Sequence, residues 1–231
     1  MRYLEVGRPA DRKEVNILYF HAPDKSAPLE ESLAAVNELH AAGVFAHFGL
    51  SNYLPDEVEA VHAHCKARGY VLPTVYQGNY NPLARKQEDV LLPTLRRLGI
   101  AFYAYSPIAG GFLAKTKQQV LGGDGRFKEG TAYYKLYANQ RFLDALAGWS
   151  DIAAEAGCEA PAELAYRWVA YNSALKREHG DAILVGANGI GQLRKTLAWV
   201  TKGPLSEEIV AKIDAFWDEA KEAAPLDNFH G

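Results

Sequence analysis

Short runs rich in Val, Ile, Tyr and Phe alternate along this chain with longer stretches whose apolar residues return every three or four positions. The first pattern belongs to strands and the second to amphipathic helices, so the alternation predicts parallel strands joined by crossover helices. Five strands are expected, at Ile17 to His21, Phe45 to Gly49, Thr74 to Tyr76, Ala101 to Tyr105 and Ala182 to Gly186. Between the first two, Pro28-Leu29-Glu30-Glu31 opens a helix in which Leu33, Val36, Leu39 and His40 fall at helical spacing, and Gly43 ends it as a left-handed cap. Leu54 to Arg68 reads as a helix stopped by Gly69, and Gln87 to Leu98 as one stopped by Gly99. The Gly- and Lys-rich stretch from Gly110 to Gly130 is too long for an ordinary strand-to-helix connection and reads as a functional excursion, a candidate lid. Two helices, Arg141 to Ala156 and Ala160 to Asn172, precede the fifth strand, and the tail from Ser206 to Lys221 sets Ile209, Val210, Ile213 and Trp217 on one helical face.

With 231 residues, 48% of them hydrophobic, and neither a linker nor a low-complexity tract, the chain is expected to form one domain spanning 1–231. Five parallel strands suit either an open doubly wound sheet or part of a barrel. A dinucleotide-binding doubly wound sheet wants its glycine fingerprint just after an early strand, whereas Gly186 to Gly191 follows the last strand with the wrong spacing, so the barrel is preferred. A formal net charge of -3 argues against a nucleic-acid groove or an anionic membrane as partner, because both favour clustered basic surface. Cys65 and Cys158 lie far apart, which indicates neither a disulfide framework nor a zinc ribbon. His62 and His64, two apart on a helix, point to different faces, so no metal site is expected there. No signal-peptide pattern and no spanning apolar run is seen, and a cytoplasmic location is expected.

The strand ends carry five strings in order: Tyr19-Phe20-His21-Ala22-Pro23-Asp24, Gly49-Leu50-Ser51-Asn52-Tyr53, Val75-Tyr76-Gln77-Gly78-Asn79-Tyr80-Asn81, the run Tyr103 to Leu113, and Gly186-Ala187 with Gln192-Leu193. Together they resemble the aldo-keto reductase family, and Gly203-Pro204-Leu205 ahead of a helix holding Trp217 is similar to its aflatoxin-aldehyde reductase branch. The resemblance implies a TIM-type (β/α) barrel of which this chain supplies strands four to eight, and NADP(H)-dependent reduction of aldehydes or ketones. In the family a Tyr donates the proton, a Lys and an Asp tune it, and a His orients the substrate. The first three fall in the family's opening units, for which this sequence has no matching positions, so His21 alone is carried over as a catalytic residue.

By the same resemblance Ser51, Asn52 and Gln77 hold the nicotinamide carboxamide and Tyr105 stacks on its ring. Ser106, Pro107, Gly110, Gly111 and Leu113 belong to the segment that cradles the pyrophosphate, where glycine admits close backbone approach. The adenosine end departs from the family pattern: Asn188-Gly189 stands where a Ser-Arg pair is usual, Gln192 is kept, and Arg194 or Lys195 substitutes for a phosphate partner or simply faces solvent. NADP(H) is therefore expected to bind weakly or not at all. Tyr76 and Tyr134 are candidate substrate contacts, since Tyr offers apolar area with a polar tip. Asp24 is read as a helix N-cap.

Loss of three strands would leave raw sheet edges, from which a homodimer is expected. Two other readings remain open: a non-redox dehydratase, isomerase or cyclase in which His21, with Tyr76 or Tyr105, moves protons, and a non-catalytic ligand-binding relative.

Overall fold

The computed structural model describes residues 15–230. Strand β1 (Val15–Phe20) leads to helix α1 (Leu29–Ala41), β2 (Phe45–Ser51), α2 (Pro55–Arg68) and β3 (Pro73–Asn79). Then come α3 (Gln87–Val90), α4 (Leu92–Leu98) and β4 (Ala101–Tyr105), followed by a 3-10 helix (Ala109–Ala114), α5 (Lys117–Leu121), α6 (Ala132–Tyr137) and α7 (Gln140–Glu155). Helix α8 (Pro161–Arg167) runs into a π-turn (Trp168–Asn172), and β5 (Ala182–Ile183), α9 (Ile190–Thr201) and α10 (Glu207–Ala220) complete the order. The five strands form one sheet in the order β1-β2-β3-β4-β5, with β1–β2 and β2–β3 parallel.

The predicted strands are all present, and all but β4 have shifted ends. Strands β2 and β3 run two and three residues past the apolar segments that predicted them, because pairing such as Ser51 with Gln77 continues into polar residues. Strand β5 stops at Ile183, well short of Gly186. Helices α1, α2 and α4 end as expected near Gly43, Gly69 and Gly99, each at positive φ. The single helix expected over Gln87 to Leu98 is two, since Pro93 lacks the N–H that an unbroken helix needs there. Leu39 is exposed rather than part of the buried stripe. Asp24 caps no helix; its Oδ1 accepts from the N–H (2.8 Å) and hydroxyl (2.6 Å) of Ser26 in a local turn, while α1 begins after Pro28.

The polypeptide divides into two compact units. The first holds the described residues up to Gly78, with Asp89–Tyr103 and Lys176–Ala182. Its aromatic core is fitted to glycine: a Cβ on Gly78 would lie 2.6 Å from Cε2 of Phe102, whose ring stacks on Tyr76 at 5.9 Å. Gly78→Ala is therefore expected to cost about 1–3 kcal/mol by overpacking, readable as a lowered urea midpoint. In the same unit the carboxylate of Asp181 takes both Nη atoms of Arg96 (2.9 and 2.6 Å) and the N–H groups of Phe102 and Lys176 (both 2.8 Å).

The second unit holds Asn79–Glu88, Ala104–Leu175 and Ile183 onward. Helices α7 and α10 pack through Trp149 and Phe216, whose rings lie 5.3 Å apart, and the buried face of α10 is Ile209, Ile213, Phe216 and Ala220, with Trp217 at its margin. The guanidinium of Arg85 sits over Trp168 at 4.9 Å and Trp217 at 5.7 Å while pairing with Asp214 at 2.7 Å. The Gly110 to Gly130 stretch, expected as a lid, is anchored: Phe112, Leu113, Val120 and Phe127 are all fully buried, and Phe112 lies 5.7 Å from Phe127, 5.8 Å from Tyr137 and 6.3 Å from Phe142. Glycines give it tight turns while aromatic rings pin it to the core.

Candidate functional site

In the first unit, three strand ends bring polar residues together. His21 follows β1, Ser51 and Asn52 end β2, and Gln77 lies near the end of β3 opposite Ser51 in the parallel register. Asn52 adopts φ 57°, a left-handed conformation that Asn tolerates better than most residues. In that pose its Nδ2 donates to the carbonyl oxygen of His21 (2.8 Å) and to Ser51 Oγ (3.3 Å). The carbonyl of His21, which can only accept, settles the orientation of the amide. Asn52 Oδ1 is left buried with no hydrogen-bond partner, a costly state for an amide oxygen unless something donates to it.

The His21 imidazole is exposed, and among the described residues it has no partner. Gln77 hydrogen-bonds the hydroxyl of Tyr19, whose pKa is pushed up to about 12 chiefly by burial, with the Gln77 contact working against the rise. Tyr19 was not among the residues singled out from the sequence, although it lies in the first strand-end string. Tyr76, expected as a substrate contact, is a core residue: it is 1% exposed, and its hydroxyl accepts from the N–H of Tyr53 (3.1 Å) and donates to the Tyr53 carbonyl (2.9 Å). That removes it from both the substrate role and the proton-transfer role.

In the second unit, β4 ends at Tyr105 and the chain turns through Ser106 (φ 53°), Ala109 (53°), Gly110 (68°) and Gly111 (106°). Four left-handed residues within six positions make a tight turn, two of them at non-glycine positions that cost energy. The turn is closed by Ala109 N–H to the Ser106 carbonyl (2.8 Å) and Gly111 N–H to the Ile108 carbonyl (2.9 Å). Pro107 and Leu113 are buried, and the Leu113 carbonyl accepts from the Trp149 indole at 3.1 Å. A Cβ on Gly111 would meet nothing within 4 Å, so this backbone is open to an approaching group.

The hydroxyl of Tyr105 is pushed to a high pKa by burial and by the Asp227 carboxylate, and the N–H of Asn228 donates to it. Behind the turn, Asn79, Asn81 and Tyr137 are completely buried and hydrogen-bonded to one another. Tyr137 and Tyr133 are structural, their rings stacked at 6.4 Å, while Tyr134 is half-buried on α6. At the far end, the exposed Gln192 accepts the N–H of Asn188 on its Oε1 (2.8 Å), which closes the start of α9; Arg194 is exposed, and Lys195 lies over Trp199 at 5.2 Å. No group of metal-ligating side chains occurs among the described residues, and none of their helices is long and apolar enough to cross a membrane.

Parallel strands with crossover helices, in a five-stranded sheet that does not close on itself, and polar residues gathered where strands end define an α/β protein. Residues 5–218 match the model of the aldo/keto reductase family, and the chain belongs to that family. It is 42% identical over 217 residues to an oxidoreductase, sirO, of Leptosphaeria maculans, covering 92% of this chain and 66% of that protein. It is 40% identical over 214 residues to aflatoxin B1 aldehyde reductase member 4 of Homo sapiens, covering 88% of this chain and 64% of that one. With aflatoxin B1 aldehyde reductase member 2 of Mus musculus it shares 39% identity over 222 residues, 91% of this chain and 60% of the relative. The chain thus spans somewhat under two thirds of the length of these relatives. The family's fold is the TIM-type (β/α) barrel, and its members generally use NADP(H) to reduce carbonyl compounds.

Proposed function

We propose that this chain holds NADP(H) for the reduction of an aldehyde or ketone, with His21 orienting the carbonyl. The observation that carries the reading is the buried, unpartnered Oδ1 of Asn52 beside Ser51 at the end of β2. An acceptor in that state matches the N–H of a primary carboxamide, the group a nicotinamide presents. The open backbone at Gly111, inside a turn of left-handed residues, likewise suits a phosphate oxygen. On both counts the residues present fit the cofactor. The adenosine end fits less well, because Gln192 spends its carbonyl on a helix start and Arg194 stands alone as the phosphate partner.

When bound, the reduced cofactor supplies a hydride to the carbonyl carbon. Ser51, Asn52 and Gln77 hold the carboxamide, Gln77 with its orientation set by Tyr19. Taken by itself, the second unit offers Tyr105 as a stacking surface and the segment of Ser106, Pro107, Gly110, Gly111 and Leu113 as a backbone suited to a pyrophosphate. The exposed His21 ring donates an N–H to the substrate oxygen, and Tyr134 offers apolar surface to the rest of the substrate. The proton that the resulting alkoxide oxygen takes up would come from water or from a residue of a paired second copy of the chain, which is part of the same proposal.

The test is equilibrium binding of NADPH, followed by quenching of tryptophan fluorescence. Micromolar binding is expected, and Asn52→Ala, which removes the waiting acceptor, should weaken it about tenfold, the value of one hydrogen bond at a buried site. Absence of binding at millimolar cofactor would refute the reading and leave proton transfer by the exposed His21, without a redox step, as the account to pursue.

A further inference from the structure

The turn from Ser106 to Gly111 is held from behind by residues that no cofactor atom need touch. The two hydrogens of Asn81 Nδ2 are shared among the carbonyl oxygen of Ser106 (3.1 Å), the Tyr137 hydroxyl (3.2 Å) and Asn79 Oδ1 (3.3 Å), while its Oδ1 accepts the N–H of Leu83 (2.9 Å). Asn79 Nδ2 donates to the same Tyr137 hydroxyl at 3.0 Å. Asn79, Asn81 and Tyr137 are all 0% exposed. Two amides and a phenol are thus withdrawn completely from water to fix one carbonyl of a left-handed residue. A second grip comes from Tyr133, whose hydroxyl lies 2.7 Å from Ser106 Oγ and whose ring occupies the space a Gly110 side chain would need, with Cγ at 2.8 Å from the Cβ position.

A polar cluster this buried is costly unless its members are hydrogen-bonded, and another course of the turn would part Asn81 from the Ser106 carbonyl. Ser106 and Ala109 keep positive φ without being glycine, which requires surroundings that over-determine them. We propose that Asn81 and Tyr133, with Asn79 and Tyr137 behind them, are positioning residues that hold the Ser106–Gly111 backbone in the shape that receives the cofactor pyrophosphate. This rests on the NADP(H) reading above and extends it to residues outside the site itself.

The experiment uses NADP+, which withstands acid, with the unaltered chain, Tyr133→Phe and Asn81→Asp. Tyr133→Phe keeps the ring over Gly110 and removes only the grip on Ser106; it should weaken NADP+ binding about tenfold with the melting temperature nearly unchanged. Hydrogen exchange across Ser106–Leu113 should quicken in that variant and nowhere else. Asn81→Asp keeps the acceptor for Leu83 and loses the donor to Ser106. Its affinity relative to the unaltered chain should be lowest near pH 8 and recover toward about pH 5, where a buried carboxyl regains a proton and donates again. A purely structural asparagine would show that profile in the melting temperature and leave the affinity of the folded chain unchanged. Equal affinity and equal exchange in Tyr133→Phe, in a chain that does bind NADP+, would overturn the positioning role while leaving the cofactor reading intact. Failure of the unaltered chain to bind NADP+ would remove both.

Discussion

Replacing Asp181 by Ala is expected to lower the stability of the first unit by about 3–5 kcal/mol, the range for removing one partner of a buried ion pair. The Asp181 side chain is 2% exposed and satisfies four donors, two on Arg96 and the N–H groups of Phe102 and Lys176. The substitution strands a guanidinium that is only 20% exposed, together with two backbone donors. Asn at the same position should cost less, because it keeps one acceptor oxygen. Urea unfolding of the three proteins measures the difference; a loss below about 1 kcal/mol for Ala would show that water reaches Arg96 and replaces the carboxylate.

An effect of similar size is expected for Trp149→Ala in the second unit, about 3–5 kcal/mol for deleting a large buried ring. Trp149 is 0% exposed and packs on Phe216 across α7 and α10, and its indole N–H donates to the carbonyls of Leu113 (3.1 Å) and Pro161 (3.2 Å). Besides a lower transition by circular dichroism, faster hydrogen exchange should spread through the 3-10 helix Ala109–Ala114, since one of its carbonyl anchors is gone. Trp149→Phe separates the two contributions: it restores most of the apolar area, so a variant that regains stability yet keeps the loosened 3-10 helix isolates the hydrogen bonds.

Local chemistry explains which parts of the fold were legible before any coordinates. Helices α1, α2 and α4 each end near a glycine at positive φ, a signal confined to one or two residues, and β4 is an uninterrupted apolar run whose expected ends are the observed ones. Strand β3 was cut short at Tyr76 because Gln77, Gly78 and Asn79 do not look like strand residues, although sheet pairing carries them. Pro93 is visible in the sequence, but the apolar period on either side of it masked the break between α3 and α4. Helix α9 starts at Ile190 with glycines on both sides, which weakens its periodic signal.

The candidate site divides in the same way. Strand-end strings led to Ser51, Asn52 and Gln77, which the structure gathers at the ends of neighbouring strands. Tyr76 was misplaced because alternation along a strand does not tell which way a tyrosine finds a partner for its hydroxyl; here that partner is the backbone of Tyr53. The supposed lid was misjudged because its glycines are a local feature, whereas its anchoring by Phe112 and Phe127 depends on rings supplied by α6 and α7. The bond between Asn81 and Tyr137 is hidden for a related reason: it joins residues 56 positions apart, and only the folded chain reveals it.

That separation bears on how the protein can change over generations. The shape of the Ser106–Gly111 turn is written partly in β3's continuation and partly in α6, so a new turn cannot be acquired by altering its own six residues. A lineage that exchanges Asn81 for an apolar residue leaves the Ser106 carbonyl and the Leu83 N–H without this partner and takes a contact from Asn79 and Tyr137, so a change at residue 81 alone is costly. These positions should accordingly be inherited as a block, while the exposed residues of the adenosine end, Arg194 among them, are free to drift one at a time.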